Sequence, residues 1–279
     1  MAFDAYQSIF LQKVLFFCAK RFTRKLHILH TMSEENFIPG IYNYCDRWCE
    51  RCAFTSRCRT FLSIEEWERK NDEKETDNWE NLAEYLAETF QSVHEMLQQH
   101  AKEEGLDLDE MLNAPMSPEP EATKFQEQLG EWSMDYGVEL FGWFEANADW
   151  LEECANTAEK LYEMGVPNIK EKSVQFGEAL DILQWYGFFI GAKVKRAMHG
   201  INEEIEDEEY LVQNDNNGSA KVALIAVNRS MAAWKIVMNH SPEKTDEIID
   251  FLVTLEKIRR GVEQVCPNAQ QFIRPGFDD

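Results

Sequence analysis

Ile182-Leu-Gln-Trp-Tyr-Gly-Phe-Phe-Ile-Gly-Ala-Lys-Val194 is apolar almost all round a helical wheel. Such a segment has no face to leave in water, so it predicts the most buried helix of the protein, within a stretch of about 171–200. Gly187 and Gly191 stand four apart, a spacing that lets a neighbouring backbone approach closely. Lys193, Lys195 and Arg196 lie near its C-terminal end, where cations offset the helix dipole. With Arg229 they are also a candidate pocket for a small anion. Glu178 and Asp181, one turn before the apolar centre, are the carboxylates best placed for acid–base work. The other acids of the helical stretches (Asp135, Glu139, Glu145, Asp149) read as solvated faces.

Helical spacing extends in both directions from this segment. Trp79, Leu82, Leu86, Phe90, Val93 and Leu97 fall at steps of three and four, one stripe on a helix of about 76–103. Pro115, Pro118 and Pro120 bar its continuation. A second helix is expected from about Glu121 to Met164, kinked near Gly137 or Gly142 and ended by Gly165-Val-Pro167. Six acids in the seven residues 203–209 read as a solvated run, because charges so dense repel. Asn214-Asp-Asn-Asn-Gly218 follows as a loop. Helices of about 219–239 and 243–265, parted by Ser241-Pro242, complete the chain. No alternating β-branched run is present. The expected fold is all-α, an up-and-down bundle of four to five long helices with a small N-terminal four-cysteine lobe. The divisions are 1–31, a basic N-terminal segment; 32–70, the cysteine lobe; and 71–279, the acidic bundle.

Charge narrows the functions. The 279 residues carry 28 Lys and Arg against 51 Asp and Glu, a net of −23. An acidic surface repels nucleic-acid phosphate and anionic lipid, so neither is an expected partner. Residues 1–31 break the pattern, with Lys13, Lys20, Arg21, Arg24 and Lys25 against Asp4, a net of +4. Two readings stand for this segment. Met32 is the true initiator, or Phe10, Val14 and Phe17 form one side of an amphipathic helix that packs on the body. The apolar run from Ile9 to Ala19 carries Lys13 inside it and its other bases behind it, unlike a signal sequence, and is shorter than the ~20 residues that span a bilayer. A soluble, cytoplasmic protein is expected.

Four of the seven cysteines fall within fourteen residues, Cys45-Asp-Arg-Trp-Cys49-Glu-Arg-Cys52-Ala-Phe-Thr-Ser-Arg-Cys58. The spacing C-x3-C-x2-C-x5-C suits four thiolates on one metal centre. Disulfides fit poorly without a secretion signal, and the scattered Cys18, Cys154 and Cys266 read as small core hydrophobes. Arg47, Arg51, Arg57 and Arg59 interleave with the ligands and offset thiolate charge, while Trp48 and Phe54 shield the site. Four arginines against Asp46 and Glu50 leave this loop at +2 before its thiolates are counted. Structural zinc usually takes two C-x2-C pairs a dozen or more residues apart, and only Cys49 and Cys52 form such a pair here.

The triplet Cys49, Cys52, Cys58 resembles the C-x2-C-x-hydrophobic-x3-C end of the [4Fe-4S] loop in DNA glycosylases of the endonuclease III class. It is similar also to a triplet in RecB-like iron–sulfur nucleases. The resemblance spans ten residues and implies cluster ligation by these three and a fourth cysteine, here Cys45, which lies much nearer than in those families. The helix-hairpin-helix and nuclease motifs of those enzymes are not recognisable, so the resemblance carries no activity. The stretch from Ile38 to Cys58 is similar to the opening of uncharacterised bacterial four-cysteine helical proteins. Cys45, Cys49 and Cys52 also match the spacing of radical S-adenosylmethionine enzymes, but those leave one iron open and need a β/α barrel. The expected function is metal binding by Cys45, Cys49, Cys52 and Cys58, as a [4Fe-4S] cluster with a redox, sensory or structural role. The alternative is a zinc-stapled acidic helical module that binds a protein partner. His27, His30, His94, His100, His199 and His240 lack the Glu-x-x-His pattern of a di-iron bundle, and no catalytic set is visible.

Overall fold

Thr123 opens the helical body with a reciprocal cap: its hydroxyl accepts from the Gln126 N–H at 3.3 Å, and its own N–H donates to the Gln126 side chain at 2.6 Å. The computed structural model describes residues 36–72, 121–201 and 210–278, with isolated positions between 83 and 108. These fall into two compact units, one holding Asn43–Trp48 with the chain from 121 on, the other holding residues 36–42 with the stretch from Cys49. All described regular structure is helical, and the all-α expectation holds.

In the first unit the helices are α2 (Lys124–Ala146), α3 (Ala148–Glu163), α4 (Ile169–Met198), α5 (Asp215–His240) and α6 (Thr245–Val265). The name α1 is kept for Arg59–Asp72 of the second unit. Helix α2 packs on α4 and α6, and α5 packs on the same two, which closes a four-helix ring with α3 beside α4. Neighbours run antiparallel: Gly130 faces Lys195 while Gly187 faces Leu140 and Phe141, and Leu129 covers Gly261 while Trp143 bonds to Glu247. Inside the ring lie Tyr136, Leu140, Leu183, Tyr186, Ile190, Val227, Trp234, Leu255 and Ile258, all fully buried. Trp234 stacks on Phe251 at 4.7 Å and donates its indole N–H to the Tyr136 hydroxyl at 3.3 Å, so the largest buried polar groups satisfy each other.

Three expectations need correcting. The helix from 121 does not kink at Gly137 or Gly142; it ends at Asn147, whose side-chain amide and backbone N–H both bond to the Trp143 carbonyl, and α3 starts afresh at Ala148. A short amide side chain that captures a backbone carbonyl competes with helix continuation. The polar run 214–218 is no loop but the cap and first turn of α5: Asn214 accepts from the Asn217 N–H at 2.9 Å. Gly218 belongs there because a Cβ would lie 2.7 Å from Phe272. Third, the centre of α4 is buried on one side only; Trp185 and Phe188 reach solvent.

The second unit includes α1 and helical positions between 83 and 102. Leu86, Phe90, Val93 and Leu97 are exposed, Phe90 at 70%. Trp79 and Leu82 of that stripe lie outside the described residues, as do residues 1–35, the proline run and the acid run 203–209.

Glycine spacing in α4 does what the sequence implies. A Cβ on Gly191 would lie 3.0 Å from the Ser133 carbonyl oxygen and against Met134, and one on Gly187 would meet Leu140 and Phe141 at 3.0 Å. Gly142, by contrast, is exposed with open space around it. Gly191→Ala is expected to cost about 1–3 kcal/mol by overpacking, roughly 2–4 °C of melting temperature per kcal/mol. Gly142→Ala should raise stability by about 0.5–1 kcal/mol through helix propensity. Thermal melts followed by circular dichroism check both; equal effects would refute the packing assignment.

Candidate functional site

Three of the four clustered cysteines lie in the second unit on successive tight turns. Cys49–Arg51 is a single 3-10 turn closed by the Cys52 N–H on the Cys49 carbonyl at 3.1 Å. The Phe54 N–H then donates to the Cys52 sulfur at 3.4 Å. A second 3-10 turn, Thr55–Arg57, ends with the Cys58 N–H on the Thr55 carbonyl at 3.2 Å, and the Cys58 carbonyl receives the Leu62 N–H of α1. The preceding strand of chain is tied to these turns, with the Ile38 N–H on the Arg57 carbonyl at 3.1 Å and Arg57 Nε on the Asn36 carbonyl at 3.3 Å. Arg57 thus supports the backbone of the turn. All three cysteines are half-buried, and Arg51, Arg57 and Arg59 are exposed.

Cys45 lies in the first unit, on a segment mounted on α4 and α5. Asp46 is the centre of the mount. Its Oδ2 accepts from the Tyr186 hydroxyl at 2.8 Å and from Arg229 at 2.6 Å; its Oδ1 accepts from the Trp48 N–H at 3.2 Å; its carbonyl accepts from the Trp185 indole N–H at 2.9 Å. Arg229 also donates to the Tyr186 hydroxyl, so the three side chains close a triangle. Burial pushes the Tyr186 phenol up to about 12, so it stays a donor. Between Asp46 and Trp48, Arg47 takes a left-handed φ of 59°, a conformation that disfavours a side chain. The Asp46–Trp48 hydrogen bond spans that residue, so the mount holds the strain in place.

Two further contacts seat the segment. Lys193, only 7% exposed, donates its ammonium to the Asn43 carbonyl at 2.9 Å, and Trp48 stacks on Trp185 at 5.1 Å. Burial lowers the Lys193 pKa, helped by the charges of Arg196 and Arg47 and opposed by Cys45 and Asp215. The Tyr44 hydroxyl donates to Asp215 at 3.1 Å, its ring meets Phe272 edge-on at 4.6 Å, and Arg196 grips both Asp215 oxygens at 2.6 and 2.8 Å. Burial pulls the Asp215 carboxyl up, but the hydrogen bonds and charge of Arg196, with Tyr44 and Lys193, outweigh it and hold the carboxyl below its usual range.

This settles the use of the basic cluster. Lys193, Arg196 and Arg229, read as a possible anion pocket, are bonded to Asn43, Asp215 and Asp46 of the chain itself. Lys195 is exposed. Asp135, Glu139, Glu145, Asp149 and Glu178 are exposed and Asp181 is half-buried. His240 stacks on Phe176 at 4.1 Å at the end of α5, and burial lowers its pKa. Cys266 is buried and Cys154 half-buried, with thiols pushed up by burial to about 12 and about 11; Cys18 lies outside the described residues. Asp46, Trp185, Tyr186 and Asp215 went unread in the sequence as mounting groups. The partners lie up to 183 positions apart and share no local pattern.

Among the described residues no disulfide joins two cysteines, and no group of three or more His, Cys, Asp or Glu is gathered as a metal ion would require. The donor chemistry does fit a thiolate centre: four sulfurs, the usual complement of structural zinc and of iron–sulfur clusters, and an N–H directed at the Cys52 sulfur. Neither a family model, nor a curated protein, nor a solved structure matches the chain.

Removal of the Asp46 carboxylate leaves the Tyr186 hydroxyl and the Arg229 guanidinium to find water, at a cost of about 1–3 kcal/mol. Asp46→Ala is expected to speed trypsin cleavage after Arg47 about ten-fold, with the bundle still folded by circular dichroism; unchanged cleavage would refute the mount. A group with a depressed folded pKa contributes stability above its unfolded value, near 3.9 for Asp, and loses it as pH falls through the folded value. Asp215→Asn should therefore lower stability at pH 7 and flatten the acid limb below about pH 4. Urea melts across pH 2–7 measure both.

Proposed function

We propose that Cys45, Cys49, Cys52 and Cys58 bind a metal centre, a [4Fe-4S] cluster, and that the protein is a cytoplasmic metal-binding protein whose cluster has a redox, sensory or structural role. The observation that carries the reading is the density of cysteine, four thiol side chains within fourteen residues, three of them on successive tight turns. Cys45 and Cys49 are four residues apart, so the chain between them spans at most about 14 Å. Gathering of the ligands belongs to metal binding itself, since thiols deprotonate and order as the metal arrives.

A [4Fe-4S] centre supplies one-electron chemistry or a structural cross-link. The residues of this chain do the rest. Trp48 and Phe54 limit water near the sulfurs, and Arg47, Arg51 and Arg57 offset thiolate charge. The unequal ligand spacing and the likeness of Cys49, Cys52 and Cys58 to known cluster loops support iron–sulfur over zinc. Zinc in the same four thiolates remains the second reading, favoured by the acidic exposed helices, which suit a module that binds a basic protein partner. Among the described residues no helix is long and apolar enough to cross a membrane. The acid excess supports a protein partner over nucleic acid.

Protein purified without oxygen is expected to be brown, to hold about four iron and four sulfide per chain, and to bleach with dithionite. Cys52→Ala and Cys58→Ala should lose most of the iron while α2–α6 stay folded. A colourless protein with about one zinc per chain overturns the cluster in favour of zinc; neither metal overturns the site.

A further inference from the structure

The seam between α2 and α4 carries an apolar strip that faces solvent. Phe188 stacks on Phe141 at 5.1 Å and lies over Gly137, whose missing Cβ would be 2.8 Å from its ring. Met134 and Val138 continue the strip along α2, with Val138 61% and Phe188 43% exposed. Beside it Glu131, Asp135 and Glu139 form an exposed row at i,i+4 spacing, and exposed Glu145 stands near its end. Like charges at this spacing repel. Elsewhere the protein compensates such acids: on α6, Arg259 and Arg260 pair with Glu256, and Arg259 with Glu263. Among the described residues none of the four α2 acids has an ion-pair partner. Exposed Val138 and Phe188, beside an acid row with no ion-pair partner among the described residues, call for a basic, amphipathic occupant.

We propose that the occupant is the protein's own segment 1–31, which lies outside the described residues. It has the complementary charge, +4, in a chain that is otherwise −27. Phe10, Val14 and Phe17 supply an apolar stripe at steps of four and three, and Lys13, Lys20, Arg21, Arg24 and Lys25 supply the bases. Lengths agree as well. The fourteen helical steps from Glu131 to Glu145 span about 21 Å, and the twelve from Lys13 to Lys25 about 18 Å when helical. Docking of a tethered segment also starts from a high effective concentration, so weak contacts suffice. The inference does not depend on the metal site.

The test uses the full-length protein and a zero-length carbodiimide, which joins lysine amines to carboxylates in direct contact. Peptide mass spectrometry is expected to find links from Lys13, Lys20 or Lys25 to Glu131, Asp135, Glu139 or Glu145. Val138→Asp with Phe188→Ser, both at exposed positions, should cut those links and raise trypsin cleavage after Arg21 and Arg24, each about ten-fold, as loss of the apolar anchors opens the segment. Asp135→Lys with Glu139→Lys, which leaves the packing intact, should reduce the remaining lysine links equally. Links from these lysines only to other acids overturn the proposal. So do links that survive both variants. Links that form only between molecules, in a mixture of light and heavy-nitrogen protein, overturn it in favour of an interface between copies.

Discussion

The missing side chains of Gly137, Gly187 and Gly191 set the position of α4 against α2, and much of the first unit follows from that contact. With a Cβ at any of the three, carbonyl oxygens and rings already within about 3 Å would have to move. The close approach fixes the rotation of α4 about its own axis. One face, with Leu183, Ile190 and Val194, then enters the core. A second presents Trp185, Tyr186 and Lys193 to the segment that carries Cys45. A third leaves Phe188 beside Phe141 on the surface. A helix apolar almost all round is thus used on three sides for three purposes.

The mount on that second face is polar, although both helices that build it are rich in apolar residues. On the incoming segment the Asp46 carboxylate accepts from a phenol and a guanidinium, and its backbone carbonyl accepts from an indole. Such a network is directional, so it specifies register where apolar contact would not. It also gives a buried ammonium, Lys193, its carbonyl partner and holds Arg47 in a disfavoured backbone conformation. The chain passes directly from this held segment to Cys49.

How much could be read beforehand varied with the range of the interaction. The helices at about 171–200 and 243–265 were legible because hydrophobic period and terminators are local signals, and they stand at Ile169–Met198 and Thr245–Val265. The break at Asn147 was not, because it depends on one amide choosing the Trp143 carbonyl over solvent. The start of α5 was missed for a related reason: asparagine serves both loops and caps, and only the bond from Asn217 to Asn214 tells them apart. Lys193, Arg196 and Arg229 were legible as a basic group but not in their use. Their acceptors come from residues 43–46 and from Asp215, which no spacing rule links to them.

The sequence by itself determined the helical class, through apolar residues at steps of three and four. It also singled out Cys45, Cys49, Cys52 and Cys58 as the proposed ligand set, through their density along the chain. Those are properties of neighbours along the chain, where a few residues carry the information. Only the tertiary structure decided which face of α4 is core, which holds Asp46 and which stays in solvent. It decided too that the stripe through Leu86, Phe90, Val93 and Leu97 is exposed rather than buried. Period shows that a helix has an apolar face; what covers the face depends on residues a hundred or more positions away, and their approach is set by the volume of side chains, or its absence at a glycine.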